Sequence, residues 1–287
     1  MIYDTPEAYL TAPRKAVALF GMSGLGKTTV AAMLRDAGAW FHYSVDYRIG
    51  TRYMGEHIAD NFKAAAMDVP LLRELLMTDS VYIQSNITFE NLAPLSTYMG
   101  KPGDPGRGGI PFDEYLRRQR QHRRAEISSM LDTVPFIDRA KRLYGYPHFL
   151  CDTSGSLCEV VDPDDPADPV LSALSPHVLF AQITGTDADA EELARRFDRA
   201  PKPMYYSETF LKSSWARYLD ENGLAEDQVD PDAFIRWGYR RLMDERRPRY
   251  AAIARKWGIT LRACDLADAA TPADFDRVIA AAIAGRG

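Results

Sequence analysis

Ala16–Phe20 is a short apolar run bounded by basic residues and a glycine, the pattern of a parallel strand covered on both faces. Similar runs occupy Trp40–Val45, His148–Cys151, Val178–Ile183 and Ile259–Cys264. The stretches between them have helical character, and strands that alternate with helices predict a parallel sheet wrapped on both sides. The expected fold class is therefore α/β, three layers built on a doubly wound parallel sheet of about five strands. Right-handed crossovers leave few topologies for it.

The spacing of these runs is uneven. Far more chain separates the second run from the third than one crossover helix requires, which predicts a helical insertion over 53–147 within a single domain spanning 1–287. Inside it, Gly100–Pro111 contains five glycines and three prolines, a composition that excludes regular structure and predicts a mobile or irregular loop. Asp162–Pro169 is a second, acidic and proline-rich loop. Asp230-Pro231 has the form of a helix start, with Asp as cap and Pro in the first turn. That helix is expected to break near Pro248, resume to Trp257 and stop at Gly258, with a last helix over Pro272–Ala284.

The 287 residues are 46% hydrophobic and 26% charged, which is globular rather than disordered composition. No apolar run approaches the roughly 18 to 20 residues needed to cross a bilayer, and Met1–Leu10 has neither a basic head nor a hydrophobic signal core. No membrane association and a cytoplasmic location are expected. The net charge of −5 argues against a surface that embraces nucleic acid, though it leaves room for a local basic site. Cys151, Cys158 and Cys264 lack zinc-ligand spacing and are expected to be reduced packing residues.

Gly21-Met22-Ser23-Gly24-Leu25-Gly26-Lys27-Thr28 fits the phosphate-loop pattern G-x-x-x-x-G-K-[ST] without mismatch, between a predicted strand and a predicted helix, Thr29–Ala37. Each residue type has a reason. Glycines let the backbone wrap a phosphate chain, helix N-terminal amides point at the anion, Lys27 neutralises the β and γ phosphates, and Thr28 offers a hydroxyl to Mg²⁺. The candidate nucleotide-binding positions are thus Gly21, Ser23, Gly24, Leu25, Gly26, Lys27, Thr28 and Thr29, with ATP and Mg²⁺ as the expected ligands. A carboxylate should end a neighbouring strand to hold the metal, and Asp152, after His148-Phe149-Leu150-Cys151, is the choice; the alternative is a strand-end or capping aspartate in the Thr153–Ser156 turn.

With GMSGLGKTT at 21–29, the Asp46-Tyr47-Arg48 group after the second strand, Asp152, and an Arg-rich helix after the fourth strand, the chain resembles the P-loop kinases of small molecules. That group includes nucleoside monophosphate, shikimate and dephospho-coenzyme A kinases. The resemblance implies a P-loop NTPase fold, an acceptor contact or general base at Asp46, anion-holding groups at Arg48 and Arg52, and lid arginines at Arg195 and Arg199. A bland alternative makes Asp46 a turn cap, and Glu191 with Arg195 an exposed pair on a solvated helix. The long insertion departs from the compact members of the group.

Phe112–Leu131 has helical periodicity, with Phe112, Leu116, Ile127 and Met130 or Leu131 as an apolar stripe and Arg120 and Arg123 on the same face. Two such arginines either meet carboxylates, bind an anionic acceptor, or lie in a solvated run, Arg117–Arg124. The combined expectation is a Mg²⁺-dependent ATP phosphotransferase acting on a small, anionic, hydroxyl-bearing acceptor. Two alternatives stay open: a nucleotide-gated regulatory ATPase with a protein partner, and a polynucleotide-end kinase.

Overall fold

The computed structural model describes residues 2–286. The five apolar runs are strands: β1 (Ala16–Phe20), β2 (Trp40–Ser44), β3 (His148–Asp152), β4 (Leu179–Thr184) and β5 (Gly258–Arg262). Every pairing is parallel, in the order β2-β3-β1-β4-β5, so the sheet is all-parallel, as the continuous apolar runs require. Its helices include α1 (Lys27–Asp36), α2 (Phe112–Leu131), α3 (Asp187–Arg199), α4 (Pro231–Trp257) and α5 (Pro272–Ala284). Alternate strand residues serve opposite faces. Val17, Leu19, Ala181, Ile183, Ile259 and Leu261 enter one core with Val30 and Leu34 of α1 and Phe275 and Ile279 of α5. Phe20 and Phe180 stand edge to face on the other side, with Tyr250 of α4 beside Phe20.

The chain leaves β1 toward β2 and β3 on one side and then crosses to β4 and β5 on the other. The carboxyl end of β1 is therefore the point at which the strand order reverses, the place where open α/β sheets bind ligands.

Two compact units make up the chain. The sheet unit holds Met1–Val45, Glu126–Pro201 and Arg236–Gly287, and the helical unit holds Asp46–Ala125 and Lys202–Ile235. The helical unit differs from the expected 53–147 at both ends and contains a second segment. That segment is recruited by polar contacts: Tyr115 Oη and Gln119 Nε2 donate to the Met204 carbonyl at 3.2 and 3.0 Å, and Tyr206 N donates to Gln119 Oε1 at 2.9 Å. Residues 127–147 join the sheet instead, where Tyr43 Oη donates to the Ser129 carbonyl at 2.6 Å and Phe136 packs on Tyr43.

Three local expectations change. Gly100–Pro111 is irregular but pinned: Ile110 N donates to Lys101 O, Gly103 N to Ile110 O and Asp104 N to Val229 O, while Arg107 pairs with Asp230 at 2.9 Å. Helix α2 buries Tyr115, Leu116, Gln119, His122, Glu126, Ser129 and Met130, so Arg120 and Arg123 fall on the exposed side rather than on the buried stripe. Two polar side chains of the buried face are met by neighbouring segments, Gln119 by the Met204 carbonyl and Tyr206 N, and Glu126 by the Ser154 and Ser156 hydroxyls. Helix α4 runs unbroken through Pro248. Pro248 and Asp244, whose carbonyl loses its helical partner, are both on the exposed side, and buried Arg246, Tyr250 and Ile253 anchor the helix on either side.

Burial pushes the thiols of Cys151 and Cys158 up to about 12, whereas Cys264 is exposed and is not a packing residue. No helix among the described residues is long and apolar enough to cross a membrane.

Helix α4 passes directly into β5, and the junction demands its glycine. A Cβ on Gly258 would lie 2.1 Å from the Phe180 carbonyl oxygen. Backbone cannot yield as a side-chain tip does, so Gly258→Ala is expected to destabilise the protein by about 2–3 kcal/mol. Urea unfolding reads this, and a change under about 0.5 kcal/mol would contradict the tight strand approach.

Candidate functional site

The loop between β1 and α1 wraps at Gly21, Gly24 and Gly26, whose φ values of 134°, 91° and 93° lie where side chains are strained. Gly24 also lies against Leu193 of α3, where a Cβ would come within 2.5 Å of Leu193 Cδ2. Helix α1 begins without a side-chain cap, and its first intrahelical bond is Val30 N to Gly26 O at 3.0 Å. The first turn of α1 thus sets the positive end of the helix dipole at the close of the glycine loop, a setting that favours an anion. Lys27, 7% exposed, folds back along the loop and donates from Nζ to the carbonyls of Gly21 at 2.8 Å and Met22 at 3.1 Å. Thr28 and Thr29 are exposed at the mouth.

Thr28 Oγ1 donates to Asp152 Oδ2 at 3.0 Å, joining residues on either side of the β1–β3 pairing. Asp152 ends β3, and His42 of β2 places Nε2 3.7 Å from the same carboxylate oxygen. A hydroxyl and a carboxylate in contact are the hard oxygen donors that Mg²⁺ takes beside phosphates and water, so the residues present fit that ion. Among the described residues no group of three or more His, Cys, Asp and Glu side chains is placed to hold a metal by itself.

The loop after Asp152 is held from three sides. Ser154 and Ser156 hydroxyls both donate to the fully buried Glu126, the latter at 2.7 Å. The Gly155 carbonyl accepts from Arg246 Nη1 at 2.8 Å and Tyr250 Oη at 2.5 Å, and Arg246 Nε donates to buried Glu159. Desolvation alone would lower the Arg246 guanidinium, but the facing Glu159 carboxylate holds it above the ordinary arginine range. Gly155 packs so closely on Ser23 that a Cβ there would overlap its hydroxyl. The glycine loop and the Asp152 loop are therefore one braced pair.

No protein-family model, curated protein or solved structure matches the chain.

Beside the loop lies a cavity of about 630 Å³, lined by Met22 and Leu25, by Gln182–Thr186 at the end of β4, by α3 and α4, and by the start of β5. Arg247, Arg255 and Arg286 are among its cations; Arg247 pairs with Asp187 at 2.6 Å.

The remaining candidates are placed as follows. Arg195 and Arg196 pair with Glu192 at 2.9 and 2.8 Å and Arg199 approaches it at 3.8 Å, all exposed; the partner is Glu192 and not the expected Glu191. Arg196 first, then Arg195, lowers the Glu192 carboxyl below its usual range. In the helical unit Asp46 and Arg48 lie in the short helix Val45–Arg48, with the Arg48 guanidinium 5.7 Å from the Tyr53 ring centre, and Arg52 is exposed on the π-helical turn Ile49–Tyr53. Arg120 makes a two-pronged pair with Glu208 at 2.6 and 2.8 Å, which, with help from Lys212, holds that carboxyl at about 2. Arg117 and Arg118 likewise hold Glu114 at about 2, and Arg123 is exposed.

Sequence reasoning missed His42, Glu126, Glu159, Arg246 and Gln182. The available signals were polar residues on inward positions: His42 shares its strand face with Trp40 and Ser44, and Glu126 lies four residues after His122.

Proposed function

We propose that the chain is a Mg²⁺-dependent phosphotransferase of the P-loop class that uses ATP to phosphorylate a small, anionic, hydroxyl-bearing acceptor. The observation that carries this reading is the 3.0 Å contact of Thr28 with Asp152, beside an uncapped helix N-terminus and a lysine laid along the glycine loop. Thr28 and Asp152 would hold Mg²⁺, which when bound neutralises charge on the phosphates. First-turn amides of α1 bind the phosphate chain, and Lys27 exchanges its two loop carbonyls for phosphate oxygens. Most of the rate enhancement would come from positioning and electrostatics, so the bracing of the Asp152 loop by Glu126 and Arg246 matters to it.

The acceptor role is assigned to Asp46 on chain order, since it follows the end of β2 by two residues. Its carboxylate would orient the acceptor hydroxyl and take its proton, with Arg48 and Arg52 on the acceptor's anionic group. Incubation with γ-labelled MgATP and a desalted metabolite extract is expected to place label on a small organic molecule. Asp46→Ala should cut that transfer by about 10²–10³-fold while leaving nucleotide binding within about twofold. Unchanged transfer would remove Asp46 from the reaction.

One observation favours a second reading, a nucleotide-gated regulatory ATPase. The lid candidates Arg195 and Arg199 are engaged by Glu192, so either must leave that carboxylate to reach a phosphoryl group. Label released only as inorganic phosphate, at a rate indifferent to the extract, would select it.

A further inference from the structure

We infer that the cavity beside the glycine loop is the nucleobase site, and that Gln182 reads the base through its side-chain amide. This inference rests on the phosphate-site reading above. Gln182 follows Phe180 at the two-residue strand spacing, so it stands on the same face of the sheet, where a carboxamide interrupts an apolar pattern. It is 7% exposed, and its Oε1 accepts from Thr260 Oγ1, its cross-strand partner, at 3.5 Å, the outer limit of a hydrogen bond. Its Nε2 makes no hydrogen bond to the described residues, yet it is not sealed off, because Gln182 lines the cavity. A buried amide group with an unmade bond is costly, and one that opens on a cavity is a ready donor to a ligand.

The cavity suits a base in two further respects. Leu25, Leu193, Ala251 and Ala254 all line it and supply apolar surface for an aromatic ring. Leu25 is also part of the glycine loop, so a ligand in the cavity is contiguous with one on the loop. A nucleobase edge offers a donor next to an acceptor, which the Gln182 Oε1 and Nε2 pair complements. The alternative assignment, a purely structural Gln182–Thr260 pair, predicts no effect on ligand discrimination.

Calorimetric titration of the full chain with MgATP and with magnesium tripolyphosphate, which has no base, separates the possibilities. Gln182→Ala is expected to weaken MgATP binding about tenfold and tripolyphosphate binding by less than about twofold. Ala251→Trp, at an exposed position on the cavity wall, should do the same by filling the slot, and it decides the matter if Gln182→Ala does not fold. If tripolyphosphate binds wild type and not Lys27→Ala, while both cavity variants keep the wild-type ratio of the two affinities, the base site is overturned and the phosphate site stands. If tripolyphosphate does not bind wild type, or binds Lys27→Ala equally well, the phosphate-site reading fails and the base site fails with it.

Discussion

Replacing Lys27 by alanine is expected to reduce MgATP-dependent turnover by at least about a hundredfold while leaving a folded protein. The change removes the cation nearest the glycine loop and two charge-assisted hydrogen bonds, to the carbonyls of Gly21 and Met22. The Gly21 contact is buried and the Met22 contact half-buried, but both lie beside a loop mouth where Ser23, Gly24, Thr28 and Thr29 are exposed, and truncating the lysine opens them to water. The stability loss should therefore stay near about 1–2 kcal/mol, within the range for a hydrogen bond to a charged group. Turnover of labelled ATP, with a thermal melt on the same sample, reads both effects. Full turnover by a folded Lys27→Ala protein would end the phosphotransferase assignment.

Arg246→Met should produce the largest loss of stability, about 3–5 kcal/mol, because it leaves the Glu159 carboxylate buried without its partner. Both side chains are almost completely buried, so solvent cannot replace the lost guanidinium. The double variant Arg246→Met with Glu159→Leu removes the stranded charge and is expected to recover most of that loss. Urea unfolding of the four proteins gives the cycle, and additivity of the two single changes would show that the pair is not coupled. Arg246 also donates to the Gly155 carbonyl, three residues beyond Asp152. The double variant should accordingly be stable yet slow, with kcat lowered more than KM raised, since Glu159→Leu restores packing but not the brace on the Asp152 loop.

The arginine-rich stretch Arg117–Arg124 shows how neighbours recast a charge pattern. In the linear chain it is a candidate anion site, and in the folded helical unit Arg117 and Arg118 are held by Glu114 and Arg120 by Glu208. The Arg117 and Arg120 pairs are largely exposed and individually weak, so they stabilise little, but with the more buried Arg118 pair they lower the positive field available to a polyanion. Salt-sensitive nucleic-acid binding consequently gains no support from this helix.

What the amino-acid sequence determined by itself was whatever depends on a few consecutive residues. Five apolar runs specified five parallel strands, because a strand covered on both faces must be apolar throughout. The glycine spacing from Gly21 to Gly26 specified a loop with positive φ at three positions, and Asp230-Pro231 specified a helix start. Tertiary structure alone decided the rest. It brought Thr28 to Asp152 across 124 positions of chain, aligned Glu126 with Ser154 and Ser156, and drew Lys202–Ile235 to the helical unit through Gln119. It also centred the buried face of α2 on Tyr115, Gln119, His122 and Glu126, keeping Leu116 and Met130 of the apolar stripe but leaving Arg120 and Arg123 outside, and it carried α4 straight through Pro248. In each of these cases the deciding energy lies in burial and hydrogen bonds between distant segments, and such contacts outweigh the fraction of a kilocalorie per residue that local propensity supplies.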